Sequence, residues 1–174
     1  MNIPLITTRL GIDLIESDHP LYVGRPGNYG ERAANFAVQN ADFILVIGSR
    51  LSTASVGHDS ASFGKHAVKV VVDIDAKELN KPGVPIDLKI SGDAKAFVVA
   101  LLALADASQM QNTSLWVSQC NTWKKDYPVV LSEYKDEKPV NSYYFTDRLC
   151  MQTENDDVVL VDTGSCFHVA CQAW

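Results

Sequence analysis

What this 174-residue sequence lacks narrows its chemistry first. No apolar run approaches the roughly 20 residues needed to cross a bilayer as a helix, so no membrane partner is expected. The first residues show no succession of basic stretch, apolar core and cleavage site, so no signal peptide is read. Positive charge is scarce: 15 Lys and Arg stand against 21 Asp and Glu, a formal net charge of -6. A phosphate backbone or an acidic lipid surface would repel such a chain, and no nucleic-acid partner is expected. Cysteine is limited to Cys120, Cys150, Cys166 and Cys171, with no CxxC pair and no cluster at metal-ligand spacing. Reduced, mostly buried thiols in a cytoplasmic protein are the expectation. Neither a GxGxxG fingerprint nor a Walker P-loop occurs, and no repeat interrupts the chain.

What is present is enough apolar material, 47% of residues, to bury a sizeable core. The chain is organised around Gly30–Ser52, GERAANFAVQNADFILVIGSRLS. Ala33, Ala34, Phe36, Ala37 and Val38 lie at helical spacing, Asn40 closes that helix and Asp42 marks a turn. Phe43 to Ile47 is an uninterrupted apolar run, as expected of a strand covered on both faces. Gly48, Ser49 and Arg50 follow at its carboxyl end, where open parallel sheets place their ligands.

Around that stretch, Ile3 to Thr8 reads as a short strand with no helix ahead of it, which predicts that the upstream part of the fold is missing. Leu21 to Gly30, LYVGRPGNYG, holds three glycines and a proline. It is either a plain irregular connection or a segment that brings bare backbone to a ligand. Leu51 to Gly64 is a polar loop whose hydroxyls and amides suit a pyrophosphate with Arg50 as partner, or a solvated loop whose Arg50 pairs with a carboxylate. Val68 to Asp75 is a second buried-type strand. Its terminal acids either accept ribose hydroxyls or cap the helix Ala76 to Lys81, and both roles can hold. Pro85 to Ile90 is a third strand, and Asp93 reads as the N-cap of Ala94 to Ala105, a helix so apolar that it should be well buried. Alternating strands and helices predict an α/β layer with a parallel sheet and right-handed crossovers.

Residues 106–113 are polar and read as a domain boundary. Ser114 to Tyr127 predicts a helix with Leu115, Trp116, Cys120 and Trp123 on one side, and Pro128 to Pro139 an extended linker. Asn141 then caps a helix from Ser142 to about Gln152. Val158 to Val161 reads as a buried strand, Asp162 to Ser165 as a turn, and His168 to Trp174 as a helix cut short. A strand, turn and helix alone cannot build a sheet of their own, so this piece predicts the opening of a further domain. Its unpaired strand and cut helix should be disordered or self-associate.

GERAANFAVQNADFILVIGSRLS, then VVVDID with ELNKP, then SGDA before an apolar helix, resembles the central domain of thiamine-diphosphate enzymes. The group most resembled is acetolactate synthase large subunits, and the tail VVLVDTGSCFHVACQAW is similar to the start of the C-terminal, diphosphate-binding domain. The resemblance implies a parallel-sheet, Rossmann-like (flavin/NAD-binding-like) central domain followed by a truncated second α/β unit. It implies 1–106 as a central domain lacking its first strand and helix, 107–139 as helix and linker, and 140–174 as the beginning of the next domain. The parent would use thiamine diphosphate and Mg2+ to decarboxylate and ligate 2-oxo acids as a homo-oligomer. Because the activating glutamate and the GDG segment of that family are not in this sequence, the resemblance predicts a fragment inactive by itself, with no catalytic or metal-binding residues of its own.

In the same way the resemblance puts Pro26, Gly27, Asn28 and Tyr29 along an FAD groove and Gly48, Ser49 and Arg50 at the diphosphate. Asp73, Ile74 and Glu78 would lie near the adenosine, with Gly92, Asp93 and Ala94 closing that side. Asp162, Thr163, Gly164 and Ser165 match the turn at the edge of the thiamine-diphosphate site, which on its residues alone is an ordinary strand-to-helix turn with Ser165 as N-cap. The sequence departs from the flavin-binding synthases at Ser52, Thr53 and Ala54, where they carry an acidic pair and an arginine. A non-catalytic FAD-binding, nucleotide-binding or structural interaction module is the alternative.

Overall fold

The structure, a computed structural model, describes residues 2–105, 112–154 and 156–174. Two parallel sheets form its α/β layer. Strand β1 (Leu5–Ile6) pairs with β2 (Tyr22–Gly24), and β3 (Phe43–Ile47), β4 (Val68–Asp73) and β5 (Leu88–Ser91) form the second sheet in the order β3-β4-β5. β4 is the centre because its residues from Lys69 to Asp73 are all buried, as a strand with neighbours on both sides should be. Helix α1 (Arg32–Asn40) joins the two sheets, and α2 (Thr53–Val56), α3 (Ala76–Asn80) and α4 (Ala94–Leu104) follow the strands of the second.

Two apolar clusters hold this layer. In one, Val23 of β2 packs with Ala33 and Ala37 of α1 and with Cys120 of α5 (Ser114–Asp126), under Ile6, Trp116 and Trp123. Small residues on α1 let α5 approach closely, and Phe36 closes the seam against Trp123 and Tyr127 at ring separations of 5.7 and 5.2 Å. In the other, Val46 and Val71 meet Leu79 of α3, flanked by Ile44, Leu51 and Ile86. Helices α6 (Ser142–Cys150) and α7 (Ser165–Ala173) pair with each other as the last unit. Asn141 caps α6 by accepting from the amides of Tyr143 and Tyr144.

Several expectations are corrected. The glycine-rich segment hides strand β2, and the polar loop after Arg50 contains α2 and a 3-10 turn at Ser60–Ser62. Another 3-10 turn, Ser132–Asp136, sits inside the expected linker. β3 is covered far less than its run of apolar residues implies: only Val46 is buried, and Phe43 is 55% exposed. α4 has no buried residue, although it is the most apolar helix. Leu115 points away from the α1–α5 seam and is 88% exposed. Val158 to Val161 forms no strand: its residues pair with none among the described residues, and all four are exposed. Apolar sequence marks surface that wants cover, and burial follows only where a partner surface is present. α7 begins at Ser165, not His168, and its N-cap is Gly164. Most of the expected boundary, 106–111, lies outside the described residues.

Candidate functional site

The carboxyl ends of β3, β4 and β5 open onto one cleft of about 460 Å³, where parallel strands end and helices begin. Gly48, Arg50, Asp73, Ile74, Glu78, Gly92, Asp93 and Ala94 all line it, together with Asp75. Backbone bonds set its floor: the Gly48 amide donates to the Val72 carbonyl at 2.9 Å, and the Gly92 amide to the Asp73 carbonyl at 3.0 Å. Gly48 turns the chain at φ 61°, a left-handed conformation that glycine adopts without a Cβ penalty. Each acid has a local duty. Asp73 accepts from the Asp75 amide at 2.9 Å, Asp75 caps α3 by accepting from the Lys77 amide at 2.8 Å, and Asp93 caps α4 through the Ala96 amide at 2.8 Å. Asp73 is buried, and one Oδ1 bond leaves acceptor capacity over.

A second cavity of about 340 Å³ adjoins the first and shares Arg50, Asp73 and Glu78 with it. Ser49, Thr53, His58 and Lys81 are in its lining. Glu78 stands between the two cavities, accepting from Lys81 Nζ at 2.6 Å and Arg50 Nε at 3.1 Å. Its bond from Lys81, then that from Arg50, hold the Glu78 carboxyl below the usual carboxylate range. Lys81 Nζ also donates to the Arg50 carbonyl, which pins the Ser49–Leu51 turn to α3. The Arg50 side chain is 77% exposed, so its guanidinium edges stay open to solvent or an anion. The larger cleft thus presents four carboxylates and one guanidinium, a set that recognises hydroxyls and amines and tolerates an anion at its rim.

The other expected site residues lie apart. Gly27 and Asn28 lean on α2: the Asn28 amide donates to the Ala54 carbonyl at 3.2 Å, and a Cβ on Gly27 would lie 1.9 Å from that oxygen. Tyr29 turns the other way and stacks on His168 of α7, ring centroids 3.9 Å apart and planes at 16°. Pro26 follows Arg25, which is buried against Glu31 at 2.8 Å and reaches the Gln172 carbonyl at 3.5 Å. Gly164, at φ 96° and with nothing among the described residues within 4 Å of where a Cβ would stand, precedes exposed Ser165 at the start of α7. Cys166 donates to the carbonyls of Asp162 and Thr163, while His168 faces Tyr29, so the two do not form a reactive pair. Among the described residues no group of three His, Cys, Asp or Glu is placed to hold a metal ion. Sequence reasoning missed Lys81 and Arg25. Lys81 was legible as an i,i+3 partner of Glu78, but nothing in the local pattern marks Arg25.

Comparison with known proteins settles the family. Residues 1–101 match the family described as thiamine pyrophosphate enzyme, central domain. The chain belongs to that family. Within it, the chain is 32% identical over 163 residues to a probable acetolactate synthase large subunit of Methanocaldococcus jannaschii, covering 94% of this chain and 27% of that protein. It is 30% identical over 151 residues to the acetolactate synthase isozyme 2 large subunit of Escherichia coli, covering 83% and 27%. For the acetolactate synthase large subunit of Lactococcus lactis the figures are 31% over 163 residues, 93% and 27%. The chain therefore spans about a quarter of the length of the curated relatives it matches.

Proposed function

We propose that this chain is the nucleotide-binding middle of an acetolactate-synthase-like thiamine-diphosphate enzyme, its strand-end cleft taking the adenosine half of FAD. One observation carries the reading: nine residues from three strand ends and the helices that follow them converge on a single cleft at the carboxyl edge of a parallel sheet. Asp73 and Asp75 supply acceptors for ribose hydroxyls, and the exposed Arg50 guanidinium at the rim suits the diphosphate. In this reading FAD is bound for structure, not for electron transfer.

In the parent the chemistry would be decarboxylation and ligation of a 2-oxo acid such as pyruvate, through a thiamine-bound carbanion with Mg2+ holding the diphosphate. This chain would contribute the turn Asp162–Ser165, whose open Gly164 gives a diphosphate access to the first amides of α7. The activating acid and the metal motif would come from other domains, and the chain by itself would be inactive. The division is 1–106 central domain, 107–139 connection, 140–174 start of the diphosphate-binding domain. Unpaired thiols at Cys120, Cys150, Cys166 and Cys171 agree with a cytoplasmic setting. Among the described residues no helix is long and apolar enough to cross a membrane.

The exposed apolar face of α4, with Val99, Leu102 and Leu104 open to solvent, supports association into a homo-oligomer. It also favours the second reading, an interaction module without catalysis. A flavin absorbance band in the purified protein, or a saturable FAD titration, supports the first reading. A longer chain that restores both flanking domains and still binds no thiamine diphosphate would refute it.

A further inference from the structure

A three-residue segment joins two places that carry candidate site residues. Its first residue, Gly27, is bonded on one side and closely approached on the other. Asn35 donates to the Gly27 carbonyl at 3.1 Å and accepts from the Gly27 amide at 2.8 Å. Gly27 itself, at φ 120°, lies so close to the Ala54 carbonyl that no side chain fits between them. Asn28 bonds to that same carbonyl, and the residues around it, Ser52, Thr53, Val56 and Gly57, line the smaller cavity. Tyr29 then leaves this wall and stacks on His168. Arg9 lies 5.5 Å from the Tyr29 ring and 5.3 Å from Phe167, and Gln172 donates to the Gly30 carbonyl at 3.3 Å. His168 Nδ1 is buried with no hydrogen-bond partner among the described residues, and the stack on Tyr29 seats the ring.

We propose that Tyr29 is a positioning residue that carries the occupancy of the smaller cavity, which adjoins the strand-end cleft through Arg50, to the amino-terminal turn of α7. This rests on the reading that the cleft takes a nucleotide. The two-state element is α7, docked on Tyr29 or undocked from it. A nucleotide whose diphosphate end passes Arg50 into the smaller cavity orders Ser52–Gly57 and restrains Ala54, hence Gly27 and Asn28, hence the Tyr29 ring. It thereby favours the docked state by losing less conformational freedom there. Gly164 and Ser165, one turn before His168, are held in place or released with it.

Hydrogen exchange of the 174-residue chain, with ADP as the probe, tests this. With ADP saturating, the amides of Val169 to Ala173 should exchange at least about fivefold more slowly. Tyr29→Phe, which keeps the ring, should retain the response. Tyr29→Ala should lose it and bind ADP about fivefold more weakly, because linkage is reciprocal. His168→Ala removes the same stack from the other side and gives the same loss if Tyr29→Ala does not fold. An α7 that ignores bound ADP, or a Tyr29→Ala protein that responds like the original, would overturn the proposal. If ADP produces neither binding heat nor slowing at Thr53–Gly57, it is the nucleotide reading that fails, and the coupling is withdrawn with it.

Discussion

Replacing Leu79 by Ala tests how the cleft is held up. Leu79 is 3% exposed and sits on α3 beside Glu78, packed against Val46 and Val71 of the sheet. Truncation removes three carbons from this cluster, about 2.4 kcal/mol of transfer free energy at roughly 0.8 kcal/mol per buried methylene. The void left behind adds to this, so the loss should fall within about 2–5 kcal/mol. For a chain of this length that corresponds to a fall in Tm of roughly 4–20 °C. Leu115→Ala is the control: the same chemistry on a helix, but 88% exposed, with an expected change within about 0.5 kcal/mol. Urea and thermal unfolding followed by circular dichroism measure both. Equal losses at the two positions would show that α3 is not seated on β3 and β4 as described, and the cleft would lose its wall.

Two further outcomes follow from individual groups. Burial pushes the Cys120 thiol up to about 11, so only about one molecule in a thousand carries the thiolate at pH 8. Ellman labelling should modify exposed Cys166 first and reach Cys120 only in denaturant; prompt native labelling of Cys120 would refute the α1–α5 seam. Glu78 titrates below the usual carboxylate range, chiefly through its bond from Lys81. Its ion pairs therefore contribute fully above about pH 4.5 and are lost only as pH falls through the lower folded value. An NMR titration with a Glu78 midpoint at or above about 4.5 would contradict that geometry.

What was legible in the sequence is the part decided locally. Phe43–Ile47 followed by Gly48 marks a strand and its end by composition alone, and Asp75, Asp93 and Asn141 announce their helices because a capping carboxylate or amide acts within three residues. The convergence of Gly48, Arg50, Asp73, Ile74, Glu78 and Asp93 follows from the same rule, since parallel strands bring all their carboxyl ends to one edge. β2 was not legible: three residues between a proline-bounded turn and a glycine-rich run carry no period, and only pairing with β1 makes Tyr22–Gly24 a strand. Nor could hydropathy tell that α4 and Val158–Val161 lie exposed, since their cover depends on surfaces elsewhere. The family resemblance puts Tyr29 in the flavin groove by position, whereas the turn after Gly27 and Asn28 directs it to α7.

Binding of the adenosine half of a nucleotide in the strand-end cleft is tested most directly by calorimetric titration of ADP into the purified chain, with Asp73→Asn beside it. One saturable site is expected, weakened about tenfold or more by a change that keeps the Asp75 hydrogen bond but removes the charge. No heat with ADP or FAD, or binding that Asp73→Asn leaves untouched, would contradict it.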